Sequence, residues 1–292
     1  MHRGGTLLEG AREEDLVTGL LALRGAKTCD AGITFDAQRA FADADADAAT
    51  PFVWYRDLLR NTTTSKPILH CFGLHEWAMQ YRPDGAPPAP SERFQRHSMA
   101  LRVPQHVVNA AVEREGISCT HVDALRFFAP AAAPLNHHGA SLEREQQLAL
   151  EEQGCVHAHM DLLKMAMRLA PYVESELIAD CLEVAIAART LDVAASPYDL
   201  TSHGIAPICV ETDAGRAAFR ARQLALMERV RPVRARLLDA YDALLAAGFA
   251  PDTVERAVAK PNAVQFATAT PGGPAWRWSE PSDVRGESSV AV

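Results

Sequence analysis

The second half of the chain is dominated by long segments with the residue spacing of α-helices. Helices are predicted over 142–152, 155–169 and 174–193, and a pair of helices over 213–247, where Pro232 marks the junction. Proline removes a backbone donor and clashes with the preceding turn, so it breaks or bends a helix. The sequence therefore predicts a mainly α fold, a single helical domain with short extended segments.

The chain is expected to have three regions. Residues 1–50 are predicted to form an N-terminal helical extension, with a short helix over 13–24 and an Ala/Asp-rich linker that ends at Pro51. Residues 51–262 are predicted to form the helical catalytic domain, and 263–292 a C-terminal tail rich in Gly, Pro and Ser. The proline- and glycine-rich composition of the connecting segments is typical of loops.

Composition and cysteine spacing indicate what kind of protein this is and which compartment it occupies. Hydrophobic residues make up 48% of the chain and charged residues 23%, which is ordinary for a globular protein. The N-terminal segment has too short an apolar run for a signal peptide, and no stretch approaches the roughly 18 apolar residues of a membrane helix. The six cysteines are scattered without a CxxC pair, which favours a reducing compartment. The sequence therefore predicts a cytoplasmic protein with no membrane partner.

The charge balance bears on the kind of partner. The chain has 29 basic and 37 acidic residues, a net charge of −8. Binding to a nucleic-acid backbone depends mainly on Lys and Arg that neutralise phosphates. The balance therefore argues against nucleic acid and favours a small-molecule substrate, while the oligomeric state stays open.

Residues 154–169, GCVHAHMDLLKMAMRL, form an apolar helix with one polar stripe. At roughly 100° per residue, Asp161 lies about 40° from His157, and Lys164 lies close to the same line. His159 lies about 200° away from His157. Because a buried ionisable group needs a partner, the stripe is either a structural network or the lining of a site.

The segment HVDALRFF places a histidine and an aspartate two residues apart. If it is extended, His121 and Asp123 share a face. Such a pair, together with one distant histidine, is typical of the facial triad that holds non-haem Fe(II) and leaves positions open for O₂ and substrate. If the segment is helical, the two side chains diverge and the pair loses this meaning. The alternative role is a carboxylate that fixes the tautomer of a buried histidine.

Histidine–carboxylate pairs occur in three separate segments of the chain. They are His75/Glu76, His121/Asp123 and His157/Asp161. The His75 pair is not a zinc-protease signature, because Met79 stands where that motif requires a second histidine. Asp161 is either a ligand itself or a partner that orients His157. The sequence predicts a His/carboxylate metal site with these candidate ligands: His75, His121, Asp123, His157 and Asp161.

Residues near these motifs are predicted to handle the substrate. Arg102, Arg126 and Trp77 are expected to position it, since arginine suits an anionic or carbonyl-bearing molecule. Arg126 and His97 are also expected to act in catalysis, with His97 moving protons. The alternative for the arginines is a surface salt bridge. No G-x-S-x-G, G-x-G-x-x-G or P-loop motif occurs, which argues against serine hydrolases and nucleotide-cofactor folds.

Five motifs together carry a resemblance to a known family. They are CFGLHEWAM (71–79), HVDALRFF (121–128), GCVHAHMDLLK (154–164), ELIADC (176–181) and ASPYDL (195–200). In this order they resemble an actinobacterial family whose members are commonly labelled 3-methyladenine DNA glycosylase, and the likeness runs from about residue 54 to 246. The label implies excision of alkylated purines from DNA. Helix-hairpin-helix glycosylases carry a glycine-rich hairpin followed by a catalytic aspartate, and this sequence has no such hairpin.

A second resemblance rests on the size, the helical build and the histidine-rich motifs. In these features the chain is similar to the iron-dependent oxygenases of C-nucleoside antibiotic biosynthesis, the oxazinomycin type, which rearrange a pyridine-derived ring with O₂. This resemblance implies an Fe(II) cofactor and the oxidative rearrangement of a small heterocyclic substrate in natural-product biosynthesis. It agrees with the predicted metal site.

The leading hypothesis from the sequence is therefore a mononuclear non-haem iron oxygenase. His121 and His157 are its expected ligands, and His75, Asp123 or Asp161 completes the set. The alternatives are a DNA glycosylase and a non-catalytic helical binding protein whose histidines are structural.

Overall fold

The computed structural model of the protein describes residues 5–10, 19–83 and 99–259. Within these ranges the chain forms ten α-helices and one small three-stranded sheet, which confirms the predicted mainly α, single helical domain. The chain divides into two units, Met1–Pro261 and Asn262–Val292. The second unit, with the predicted tail over 263–292, lies outside the described residues.

A small antiparallel sheet precedes the helices. Its strands are β1 (Gly5–Glu9), β2 (Ala26–Cys29) and β3 (Gly32–Asp36), in the order β1-β3-β2. In the central strand β3, Ile33 and Phe35 are buried, which fixes the sheet against the core. The sequence did not predict this sheet. Of the helix predicted over 13–24, residues 11–18 lie outside the described ranges, and residues 20–22 form a single 3-10 turn.

Two helices follow the sheet and include the predicted linker. Helix α1 (Ala37–Phe41) begins where the Asp36 carboxylate accepts hydrogen bonds from two backbone N–H groups. Helix α2 (Ala46–Thr64) is capped in the same way by Asp45 and contains Pro51. The linker expected to end at Pro51 is therefore helical from Ala46 onward. Helix α2 runs across the predicted boundary between residues 50 and 51.

Eight further helices complete the described chain. They are α3 (Leu74–Met79), α4 (Gln105–Glu113), α5 (Val122–Leu125), α6 (Gln147–Leu150), α7 (Val156–Leu169), α8 (Ser175–Ala194), α9 (Asp213–Gly248) and α10 (Pro251–Ala259). The pair of helices predicted over 213–247 is one continuous helix, α9, with Pro232 inside it. The reason is packing on both sides of the proline. Met227 and Val230 are buried before it, and Leu237 and Tyr241 after it, so the core offsets the lost backbone hydrogen bond.

Helix α9 lies at the centre of the domain and packs against α1, α2, α7 and α8. Helices α7 and α8 are joined by the short segment 170–174 and pack along their lengths, so they run antiparallel. Helix α7 buries Leu162, Met165 and Leu169 together with His159 in this core. His157 and Asp161 therefore lie on its other side, where the candidate site forms.

None of the helices within the described ranges combines the length and the apolar character needed to cross a membrane. All six cysteines are free thiols.

Candidate metal centre

The first turn of α3 holds His75 against the C-terminal part of α8. Gly73 precedes the helix with a φ of 68°, a left-handed conformation that glycine adopts at no steric cost. Trp77 is fully buried, and its Nε1 donates a 2.8 Å hydrogen bond to the Ala195 carbonyl oxygen just beyond α8. This anchor leaves His75, only 5% exposed, facing Asp192 on α8.

His75 and Asp192 form a close pair of buried polar atoms. His75 Nε2 lies 3.2 Å from Asp192 Oδ1, yet neither atom makes an aligned hydrogen bond. Asp192 is fully buried, and its other oxygen, Oδ2, accepts a 3.0 Å hydrogen bond from Arg189. Burial alone would lower the pKa of His75, but the Asp192 and Glu76 carboxylates raise it to about 10. The pair therefore favours a positive charge between its two atoms, supplied by a proton or by a metal ion.

His157, in the first turn of α7, supplies a third ligand atom to this pair. Its ring lies edge-on to the His75 ring with 4.3 Å between centroids, and it stacks on the His121 ring at 5.0 Å. Burial and the two neighbouring histidines hold the pKa of His157 well below its usual range. The ring is therefore a neutral imidazole, the form that binds metals.

His75, His157 and Asp192 place one ligand atom each within 4.8 Å of one another. Two histidines and one carboxylate have the composition of the facial triad of non-haem iron enzymes. His75 and Asp192 are buried, whereas His157 is half-buried, so this group is reached from the side of His157. We refer to these three residues as the triad.

A second group of possible ligands lies beside the triad. His121, Asp123 and Asp161 also place ligand atoms within 4.8 Å of one another. His121 caps α5 in an extended conformation, and Asp123 lies in the first helical turn. The segment is thus an extended entry into a helix, and the two side chains still converge.

The carboxylates of this second group already pair with cations. Lys164 Nζ lies 2.7 Å from Asp161 and 3.9 Å from Asp123, and Arg144 binds Asp123 through two hydrogen bonds. A metal ion here would have to displace the Lys164 ammonium group. The polar stripe predicted on α7 therefore has two parts. Asp161 and Lys164 form an ion pair, whereas His157 belongs to the triad.

His121 is oriented by a buried glutamate that the sequence did not reveal. Glu151 lies 3.2 Å from His121 Nδ1 and accepts a 2.8 Å hydrogen bond from Gln147. Burial alone would raise the pKa of Glu151, but the charge of His121 outweighs the effect of burial. The pKa of Glu151 is therefore lowered. Because Glu151 comes 30 positions after His121 in an irregular segment, no local pattern links the two.

Asp192 was also missed from the sequence, although a signal exists. The sequence predicts a helix over 174–193, and Asp192 is fully buried within it. A carboxylate that is buried in an apolar helix needs a partner, as in the reasoning applied to His157 on α7. That reasoning could have identified Asp192 but not its contact with His75.

A small cavity adjoins the two histidines of the triad. Its volume is about 20 Å³, and besides His75 and His157 its lining includes Cys71, Cys119, Cys155, Thr120 and Glu152. A cavity of this size holds one water molecule. Burial raises the pKa of Cys71 to about 11 and that of Cys119 to about 12, so both are protonated thiols near neutral pH. The cavity therefore offers space for one water-sized molecule beside the triad.

Two of the residues predicted to position the substrate have structural roles instead. Trp77 is fully buried and bonded to the Ala195 carbonyl oxygen, so it has no surface for a substrate. Arg102 binds both carboxylate oxygens of Glu211, at 2.6 and 2.8 Å, and lies over the Trp77 ring. Sequence reasoning identified these side chains, but it could not predict how deeply they are buried or which groups they contact.

The other two predicted residues have different outcomes. The Arg126 side chain is 65% exposed and lies 3.8 Å from Asp123, at the outer edge of the second group. Its predicted contact with substrate stays a prediction. His97 lies outside the described residues.

Comparisons with protein-family models, with curated proteins and with solved structures found no match for this chain. Both family resemblances therefore stay predictions. The case for function rests on the chemistry of the triad and its surroundings.

Proposed function

We propose that the protein is a metal-dependent enzyme, a mononuclear non-haem iron oxygenase that oxidises a small heterocyclic substrate with O₂. The observation that carries this proposal is the buried pair of His75 Nε2 and Asp192 Oδ1, 3.2 Å apart and without an aligned hydrogen bond. Buried polar atoms are normally satisfied, and an exception calls for a partner such as an ion. The neutral His157 imidazole completes the set of ligands.

The donor set fits Fe(II). Two imidazoles and one carboxylate occupy one side of such an ion and leave further positions for O₂ and substrate. When bound, iron would supply O₂ activation and Lewis acidity. Arg189 holds Asp192 Oδ2, so the carboxylate presents Oδ1 alone towards His75. The cavity beside His75 and His157 admits a small molecule next to the triad.

We propose a single metal ion per chain because the Lys164 side chain takes the place of an ion in the second group. Its ammonium group neutralises Asp161 and approaches Asp123, so the second group has its cation built in. In the triad, Arg189 pairs with Asp192 through Oδ2, while Asp192 Oδ1 and His75 Nε2 have no hydrogen-bond partner among the described residues. One metal ion at the triad, beside a lysine-neutralised group, accounts for both arrangements.

Nitric oxide provides a direct test of the open positions. Fe(II)-loaded protein treated anaerobically with nitric oxide is expected to give the electron paramagnetic resonance signal of a high-spin iron–nitrosyl complex, because a facial triad leaves positions free. Iron that is retained by the protein but gives no such signal would contradict the oxygenase proposal. The His157→Ala variant serves as the control that lacks a ligand.

Replacing Lys164 by methionine is expected to create a second metal site. The change removes the ammonium group from Asp161, so that Asp161 and His121 can hold an ion together with Asp123, whose oxygens still accept hydrogen bonds from Arg144. Calorimetric titration with Zn²⁺, which accepts imidazole and carboxylate ligands, should then show about two ions per chain instead of about one. Arg168→Met is the matched control on the same helix, since Arg168 lies over Phe52 and not at the carboxylates. Two Zn²⁺ ions per chain in the unchanged protein would contradict the claim that Lys164 keeps a metal ion out of the second group.

A further inference from the structure

A groove on the surface between α7 and α8 begins next to the triad. It is lined by Met160, Leu163, Ala185, Ile186, Arg189 and Thr190. Its volume is about 380 Å³, and it is broadly open to solvent. We call it the α7–α8 groove.

The groove leads away from two of the triad residues. His157 lies at the start of α7 and Asp192 near the end of α8, and the two helices run antiparallel. Leu163 follows His157 by six residues, which is about 9 Å along a helix axis at about 1.5 Å per residue. Ile186 precedes Asp192 by the same number of residues. The groove therefore extends over about two helical turns from the triad.

The walls of the groove are apolar and open to solvent. Ile186 is 58% exposed, a large fraction for an aliphatic side chain. Met160 and Leu163 of α7 line the groove opposite it and extend the apolar wall. The flexible thioether of Met160 adapts to ligands of different shape. The groove thus suits the apolar body of a small molecule.

Arg189 places a positive charge at the triad end of the groove. Its side chain is 54% exposed, and its Nη1 lies 3.0 Å from Asp192 Oδ2 and 4.0 Å from Glu76. A metal ion bound at Asp192 Oδ1 would take up much of the carboxylate charge. The Arg189 guanidinium group would then favour a second, external anion, which it can bind through two hydrogen bonds.

We propose that the α7–α8 groove binds the substrate, a small organic anion whose apolar body lies along Met160, Leu163 and Ile186. Its anionic oxygen lies against Arg189, which brings the adjoining atoms to the triad. The reaction at the triad rests on the proposed function above. Binding of the apolar body does not, because the groove walls need no metal.

The test uses 4-(4-fluorophenyl)butanoate and its neutral amide as probes. Fluorine NMR measures the binding of each probe to the full-length protein. The metal-free protein should bind both probes, and Zn²⁺ loading should tighten binding of the anion but not of the amide. Ile186→Asp should weaken both probes about tenfold or more, a loss of about 1.4 kcal/mol. Arg189→Gln should remove the preference for the anion in the loaded protein. Leu182→Asp, a change at another exposed apolar residue of α8 outside the groove, should bind as the unchanged protein does.

Three results would overturn the groove proposal. They are no binding of either probe, equal binding by Ile186→Asp and the unchanged protein, or a change of oligomeric state in Ile186→Asp without a change in probe binding. The last result would mean that the face joins copies of the chain. If the protein takes up no metal, the proposed function fails, but the comparison of Ile186→Asp with Leu182→Asp in metal-free protein still decides the groove.

Discussion

Asp192→Asn is expected to abolish stoichiometric metal binding while the helical fold remains. The amide oxygen can still accept the hydrogen bond from Arg189, so the shape of the site is kept. The negative charge that faces His75 is lost, and a neutral amide is a poor ligand for Fe(II). We expect metal affinity to fall by more than the roughly 10–100-fold that follows loss of a residue that only orients a ligand. Calorimetric metal titration and circular dichroism measure the two effects.

Asp180→Asn is the matched control for this change. Asp180 lies on the same helix but forms an ion pair with Arg236, away from the triad. It should bind metal as the unchanged protein does. A full equivalent of tightly bound metal in Asp192→Asn would exclude Asp192 as a ligand.

The two histidines of α7 are expected to separate cleanly by mutation. His157→Ala should lose the metal and the activity but keep the fold, because the half-buried ring belongs to the triad. His159→Asn should keep the metal. Metal analysis and thermal unfolding of both variants, purified side by side, provide the comparison.

The two variants should differ because His157 and His159 lie on opposite sides of α7 and have different partners. His159 is fully buried on the other side of the helix, where its Nδ1 accepts a 2.9 Å hydrogen bond from Arg234. Asparagine keeps an acceptor for that buried guanidinium group, whereas alanine would remove this hydrogen bond at a cost of about 1–3 kcal/mol. A His157→Ala protein that retains its metal and only melts earlier would make the cluster a structural network.

The helical part of the fold could be predicted from the sequence because its signals are local and long. Helices α7 and α8 begin and end within one residue of the predicted bounds, 155–169 and 174–193. The sheet was missed because its strands are only four or five residues long and β3 alone has a clear buried face. The continuity of α9 through Pro232 could not be predicted, since the core on both sides of the proline decides it.

The candidate site was predictable in its histidines and not in its partners. His75, His121 and His157 were each singled out by a neighbouring carboxylate, and their rings do meet. The carboxylates that contact them most closely, Asp192 and Glu151, are distant in sequence from the histidines they face. The Asp192 contact depends on how α3 lies against α8, and the Glu151 contact on how the end of α6 lies against the start of α5. No short-range pattern encodes either contact.

The most direct test of the central claim is the iron content of protein loaded anaerobically with Fe(II) and then desalted. The unchanged protein should retain about one iron per chain, as one facial triad requires, with X-ray absorption showing coordinated imidazole. Asp192→Asn and His157→Ala should retain almost none, and Asp180→Asn should match the unchanged protein. An unchanged protein that retains no iron, or triad variants that retain as much iron as it does, would contradict the assignment of His75, His157 and Asp192 as a metal centre.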